Sequence, residues 1–203
     1  MRILILTILL LFCETGCTAE QQLEPAAAQT ALAAAWSSPQ HTVWAIDWPA
    51  VPTGGAVTVE SWRIQDQYRF EILESTAPAL VGQMLIFDGQ TAWRANRFEP
   101  GEVQIAAEPL LSPVSDVFAV VDRLLTCPAT GATEQTSSIL NHGPARKITV
   151  HCPNSDSLVM WLDQATGLPV RVIFSIHGKQ ADLEARNLQP LLQMPAGLFA
   201  PNP

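Results

Sequence analysis

The chain has 203 residues, of which 19 are acidic and 11 basic, for a formal net charge of −8, and 48% are hydrophobic. No cluster of Lys and Arg occurs along it, so neither nucleic acid nor a polybasic contact with anionic lipid heads is expected as a partner. The length suits one domain around one sizeable core.

Met1 and Arg2 give a positive start, Ile3 to Phe12 form an apolar run broken only by Thr7, and Thr15-Gly16-Cys17 follows. This is the three-part layout of a bacterial secretory signal. The apolar run is about half of the roughly 20 residues that a membrane-spanning helix needs. The expected division is a lipoprotein signal over 1–16, a tether and N-terminal helix over 17–38, and a β-barrel domain over 39–203. Cys17 then becomes the lipidated N-terminus, placing an exported protein on the periplasmic or outer face of a membrane. Glu14 stands where a lipobox usually has an aliphatic residue, and cleavage near Thr18-Ala19, releasing a soluble protein, is the other reading.

From Glu20 to Ser38 the chain is rich in Ala, with Leu23, Ala27, Ala31, Leu32 and Ala35 at helical spacing. After Pro39 the character becomes β. Strands are expected at His41 to Trp48, Ala56 to Ile64, Gln67 to Leu73, Gly82 to Phe87, Thr91 to Arg97 and Glu102 to Ala106. Thr53-Gly54-Gly55, Gln65-Asp66 and Asp88-Gly89 supply turns. Ser112 and Pro113 suit the start of a second helix, whose buried face carries Val117, Val120, Val121, Leu124 and Leu125. A second β run covers Thr136 to Leu140, Arg146 to Cys152, Leu158 to Asp163, Leu168 to Ile176 and Ala181 to Leu188, before an apolar tail from Leu191 to Phe199.

The fold class is therefore mainly β (α+β): an incomplete antiparallel β-barrel of about 10–11 strands, its concave face covered by an N-terminal and a central helix. Cys127 and Cys152 are the pair left once the signal and Cys17 are set aside. In an oxidising compartment they read as a disulfide. A metal site shared with His142 and His151 is the alternative, although the cysteines lack zinc-site spacing.

Short motifs carry a family resemblance. Trp62 on an early strand is followed by a polar turn and Tyr68-Arg69-Phe70. Leu85-Ile86-Phe87-Asp88-Gly89-Gln90-Thr91-Ala92-Trp93 forms a hairpin pattern, and Val159 to Arg171 runs a Trp-Leu-Asp strand through Thr166-Gly167-Leu168-Pro169 into the next. In these the chain resembles the LolA/LolB-like outer-membrane lipoprotein carriers and periplasmic relatives. The resemblance implies an incomplete barrel whose apolar cavity, under a helical lid, holds acyl chains of lipids or lipoproteins. The carrier has a basic lid latch soon after its Trp strand. Here Gln65 stands near that place, flanked by Arg63 and Arg69, so the latch does not transfer residue for residue.

Alternation pairs Trp62 with Ile64, Tyr68 with Phe70, and Met84 with Ile86 on single strand faces. With Trp93 they are the candidate ligand-cavity residues; each can equally fill a core. Six Trp, seven Phe and four Met suit a roomy apolar interior. The four histidines are scattered, Asp88 and Asp163 sit in turns, and no Gly-x-Ser-x-Gly elbow or phosphate-cradling loop occurs. No enzyme activity, cofactor or metal is expected. The expected partners are lipid or lipoprotein acyl chains, a membrane through the N-terminal lipid, and an envelope protein. The alternative function is a tethered interaction or sensor module with a filled core.

Overall fold

The structure is a computed structural model describing residues 20–49, 55–99, 101–106, 114–139, 141–193 and 195–200. Cys17 with the expected signal segment, the expected turn at Thr53-Gly54 and the expected cap at Ser112-Pro113 lie outside the described residues. The strands are β1 (Gln21–Leu23), β2 (Gln40–Asp47), β3 (Ala56–Ile64), β4 (Gln67–Ser75), β5 (Gln83–Phe87), β6 (Ala92–Asn96) and β7 (Gln104–Ile105). After these come β8 (Gly131–Ile139), β9 (Gly143–His151), β10 (Ser157–Asp163), β11 (Pro169–Ile176) and β12 (Lys179–Pro190). Helix α1 spans Pro25–Ser37 and helix α2 spans Val114–Leu125.

All twelve strands join one sheet in the order β1-β8-β9-β10-β11-β12-β2-β3-β4-β5-β6-β7, and every pairing is antiparallel. Among the described residues the sheet does not close; β1 and β7 are its edges. This is the expected incomplete barrel with helices. The additional strand is β1, whose residues the Ala-rich periodicity assigns to the helix. Local chemistry explains the difference. Pro25 suits the first helical turn, and the Glu24 carboxylate accepts the Ala26 and Ala27 amides at 3.1 and 2.6 Å. The helix therefore begins at Pro25, and the backbone before it pairs with β8, Gln21 opposite Glu134.

Alternation sends one side of each strand inward. On β2, Gln40, Thr42, Trp44 and Ile46 are buried; on β10, Leu158, Met160 and Leu162 are. Trp44, Ile46, Leu158, Met160 and Leu162 form one core with Ala28, Leu32, Ala35 and Trp36 of α1 and with Val114, Val117, Phe118, Val121, Leu124 and Leu125 of α2. Both helices thus cover the inner face. In α1, alanines let the backbone approach the sheet closely, while Leu32 and Trp36 supply the volume. In α2, Asp116 in the first turn and Arg123 in the last complement the helix dipole.

The turns follow their sequence chemistry. Asp163 accepts the Ala165 and Thr166 amides at 3.1 and 2.8 Å, and Gly167 takes a positive φ of 73°. Asp88 accepts the Gln90 and Thr91 amides, both at 2.8 Å, and these bonds hold its carboxyl below the usual range. Cys127 and Cys152 form a disulfide with a Cα separation of 5.9 Å. It ties the segment after α2 to the residue that follows β9, and it occupies both thiolates that a metal site would use.

Candidate functional site

The register across β2, β3 and β4 stacks inward-facing residues in rows. Gln40, Arg63 and Tyr68 are neighbours at one end, followed by Thr42, Ser61 and Phe70, and then by Trp44, Val59 and Ile72. The inner face therefore changes from a polar rim to an apolar surface within three rows. Gln40, Thr42 and Ser61 are buried, and their hydrogen bonds are local. The Gln40 amide donates to the Trp36 carbonyl, the Thr42 hydroxyl to Gln40 Oε1, and the Ser61 hydroxyl to the Thr42 carbonyl, each at 3.2 Å.

Arg63 is the exception in this rim. It is 9% exposed, and its Nε and Nη1 have no hydrogen-bond partner. Its Nη2 lies 3.6 Å from Asp122 of α2, an ion pair too long for a hydrogen bond. The guanidinium also lies over Trp36 of α1, 4.7 Å from the ring centroid, and 5.9 Å from that of Phe118 of α2. Trp36 Nε1 donates to the same Asp122 carboxylate at 2.7 Å. One sheet residue and both helices thus meet in a single polar clasp. Burial lowers the Arg63 pKa from its ordinary value, against the opposing pull of Asp122. Burial likewise raises that of the Tyr68 phenol, with Arg63 opposing.

Beneath the clasp runs an aromatic column. Trp36 stacks on Phe118 at 5.4 Å, Phe118 on Phe70 at 4.5 Å and Phe70 on Tyr68 at 4.9 Å, and Phe87 lies 5.1 Å from Tyr68. These contacts join α1, α2, β4 and β5 through rings whose spacing suits offset stacking.

The structure divides the seven sequence-predicted cavity residues between two faces. Tyr68 and Phe70 lie under the helices. Trp62, Ile64, Ile86 and Trp93 instead form a separate cluster with Leu198 and Phe199 of the C-terminal tail. Met84 is also on the outer side, where its sulfur accepts from Arg69 Nη2 at 3.2 Å. Grouping all seven in one interior is therefore corrected by strand phase: Arg63, not Trp62, takes the inward position on β3. Trp62 stacks on His41 at 4.8 Å, and the Arg69 guanidinium lies 5.3 Å from its ring.

Sequence reasoning missed Gln40, Thr42, Ser61 and Arg63 as inward residues, and Trp36 and Asp122 as their cover. The signal for Gln40 and Thr42 was present, since both share the phase of Trp44 and Ile46. The same holds for Ser61 and Arg63, which share the phase of Val57 and Val59, because the register shift between Thr58 and Val59 skips Leu73 on β4 and leaves β3 alternating.

An unclosed antiparallel sheet with two helices on its inner face defines an open half-barrel, with the site at the rim where helices and sheet meet. No family model matches the chain, and no curated protein does. Among solved structures, an uncharacterized conserved protein from Thermus thermophilus is similar with a TM-score of 0.55 and 14% identity, covering 85% of this chain and 92% of that one. MucB is similar with a TM-score of 0.49 and 16% identity over 86% of this chain; the match spans 62% of MucB, less than two thirds of its length. A LolA superfamily protein from Nitrosomonas europaea is similar with a TM-score of 0.40 and 15% identity, covering 85% of this chain and 96% of that one.

Proposed function

We propose that this is a non-catalytic, exported protein, held to a membrane by a lipid on Cys17, that binds acyl chains of lipid or lipoprotein against its inner face. The observation carrying this reading is the graded inner face under two helices. Across β2, β3 and β4 the polar side chains lie at one rim, and beyond them the surface is apolar, which is the polarity of an amphiphile. In the closed form the protein's own side chains fill this face, so binding requires α1 and α2 to move. The clasp favours such movement. A buried guanidinium with unmade hydrogen bonds offsets part of what the helices gain by closing.

Titration of the delipidated domain with fluorescent fatty acids of increasing length tests the reading. Each buried methylene contributes about 0.8 kcal/mol before ordering costs, so affinity is expected to increase with length until the face is full. Affinity indifferent to length would contradict acyl binding. The rival would then be an interaction module with a filled core, and one observation favours it: Ile105 on edge strand β7 and Phe98 shortly before it are 75% and 68% exposed.

The anchor has its own test. The parent protein is expected in the membrane fraction and labelled by palmitate, and Cys17→Ala is expected to abolish both. A soluble, unlabelled parent would show that Glu14 defeats the lipidation site.

A further inference from the structure

We propose that Arg63 is the head-group site of the inner face, taking the anionic head, carboxylate or phosphate, of a single acyl chain whose tail runs along Trp44, Val59 and Ile72. This rests on the acyl-binding reading above and adds the class of ligand. Arg63 lies within the buried rim, and two of its nitrogens, Nε and Nη1, have no partner. Each of them forms, together with Nη2, a two-pronged edge of the planar guanidinium, the arrangement that receives two oxygens of a carboxylate or phosphate side by side.

The existing counter-charge is poorly placed to replace such a ligand. Asp122 reaches Nη2 at 3.6 Å, is itself 54% exposed, and is already engaged by Trp36 Nε1. Position supports the same conclusion. Arg63 is flanked in register by Gln40 and Tyr68, so polar groups surround it at the rim, and the fully apolar row of Trp44, Val59 and Ile72 lies two rows inward. When the helices move aside, Trp36 and Phe118 leave the guanidinium, and an anionic head replaces aromatic faces with charge-assisted hydrogen bonds.

The test uses the full mature domain, delipidated, with palmitate, hexadecyl phosphate and methyl palmitate as probes of similar tail length. Palmitate or hexadecyl phosphate is expected to bind about tenfold to a hundredfold more tightly than the ester, the range of a hydrogen-bonded charge pair; which of them leads distinguishes a carboxylate from a phosphate source. Arg63→Gln is expected to remove that preference. Equal affinity of the parent for acid and ester, or a preference that survives Arg63→Gln, overturns the head-group site while leaving acyl binding intact. Failure of all three probes overturns both. Should Arg63→Gln not fold, the parent alone decides: the carboxyl of bound, carboxyl-13C palmitate is expected to titrate at lower pH than in a mixed micelle. Micelle-like titration would place the head away from Arg63.

Discussion

Trp36→Ala is expected to destabilise the domain by about 3–5 kcal/mol, the cost of emptying a large aromatic site in a packed core. Trp36 is 2% exposed. It contacts Phe118 and Trp44 with its ring, Arg63 with its face and Asp122 with its indole N–H. Removing it leaves a cavity between α1 and the sheet and takes from Arg63 its nearest aromatic face. Trp36→Phe separates the two contributions, because it keeps a ring but loses the hydrogen bond to Asp122, for which about 1 kcal/mol is expected. Urea unfolding of the two variants checks this. A loss below about 1 kcal/mol for Trp36→Ala, far under the usual cost of such a cavity, would mean that α1 is not packed on the inner face in solution.

Removing the disulfide has a comparable effect by a different route. Its closed loop spans a sequence separation of 25 residues, for which restriction of the unfolded chain gives about 3 kcal/mol, with a model-dependent mechanism. Cys127→Ala with Cys152→Ala is expected to lose about that amount. The loss should also be unevenly distributed. The bond fixes the C-terminal end of α2, and the Gln29 side chain of α1 donates to the Cys127 carbonyl at 2.7 Å, so both helices are tied to this point. Amide exchange is expected to accelerate in α1 and α2 more than in β2 to β4. Uniform acceleration would show that the disulfide acts on the fold as a whole and not on its cover. Non-reducing peptide mapping of the parent provides the chemical control.

The fold was legible where periodicity was strong. Val117, Val121 and Leu124 mark α2 at helical spacing, and Leu158, Met160 and Leu162 mark β10 by alternation; both elements form where those patterns place them. β1 was not legible, because three residues paired at a sheet edge leave no period and adjoin an Ala-rich helix. The site was half legible. Tyr68 and Phe70 were found because β4 alternates cleanly through them. Trp62 stands among the candidate cavity residues by alternation with Ile64, yet the tail residues Leu198 and Phe199 bury its cluster on the opposite face. A charged residue in the inward phase carries no hydrophobic signal, so only register and burial place Arg63 on the inner face. Its partners Trp36 and Asp122 lie far from it in sequence, on two different helices, and no local pattern connects them.

If α1 and α2 cover the surface on which an acyl chain binds, the ligand must disturb the tryptophans beneath them. Fluorine NMR of the domain labelled with fluorotryptophan tests this most directly, because the tryptophans report on both faces. Trp36 and Trp44 lie in the covered core, whereas Trp62 and Trp93 pack with the tail and Trp161 lies between Lys147 and Arg171. With each signal assigned by a single Trp→Phe change, saturable addition of palmitate is expected to shift the Trp36 and Trp44 resonances and leave Trp93 and Trp161 in place. Shifts confined to Trp62 and Trp93, or no shift at any tryptophan at saturating palmitate, would mean that no acyl chain enters beneath the helices.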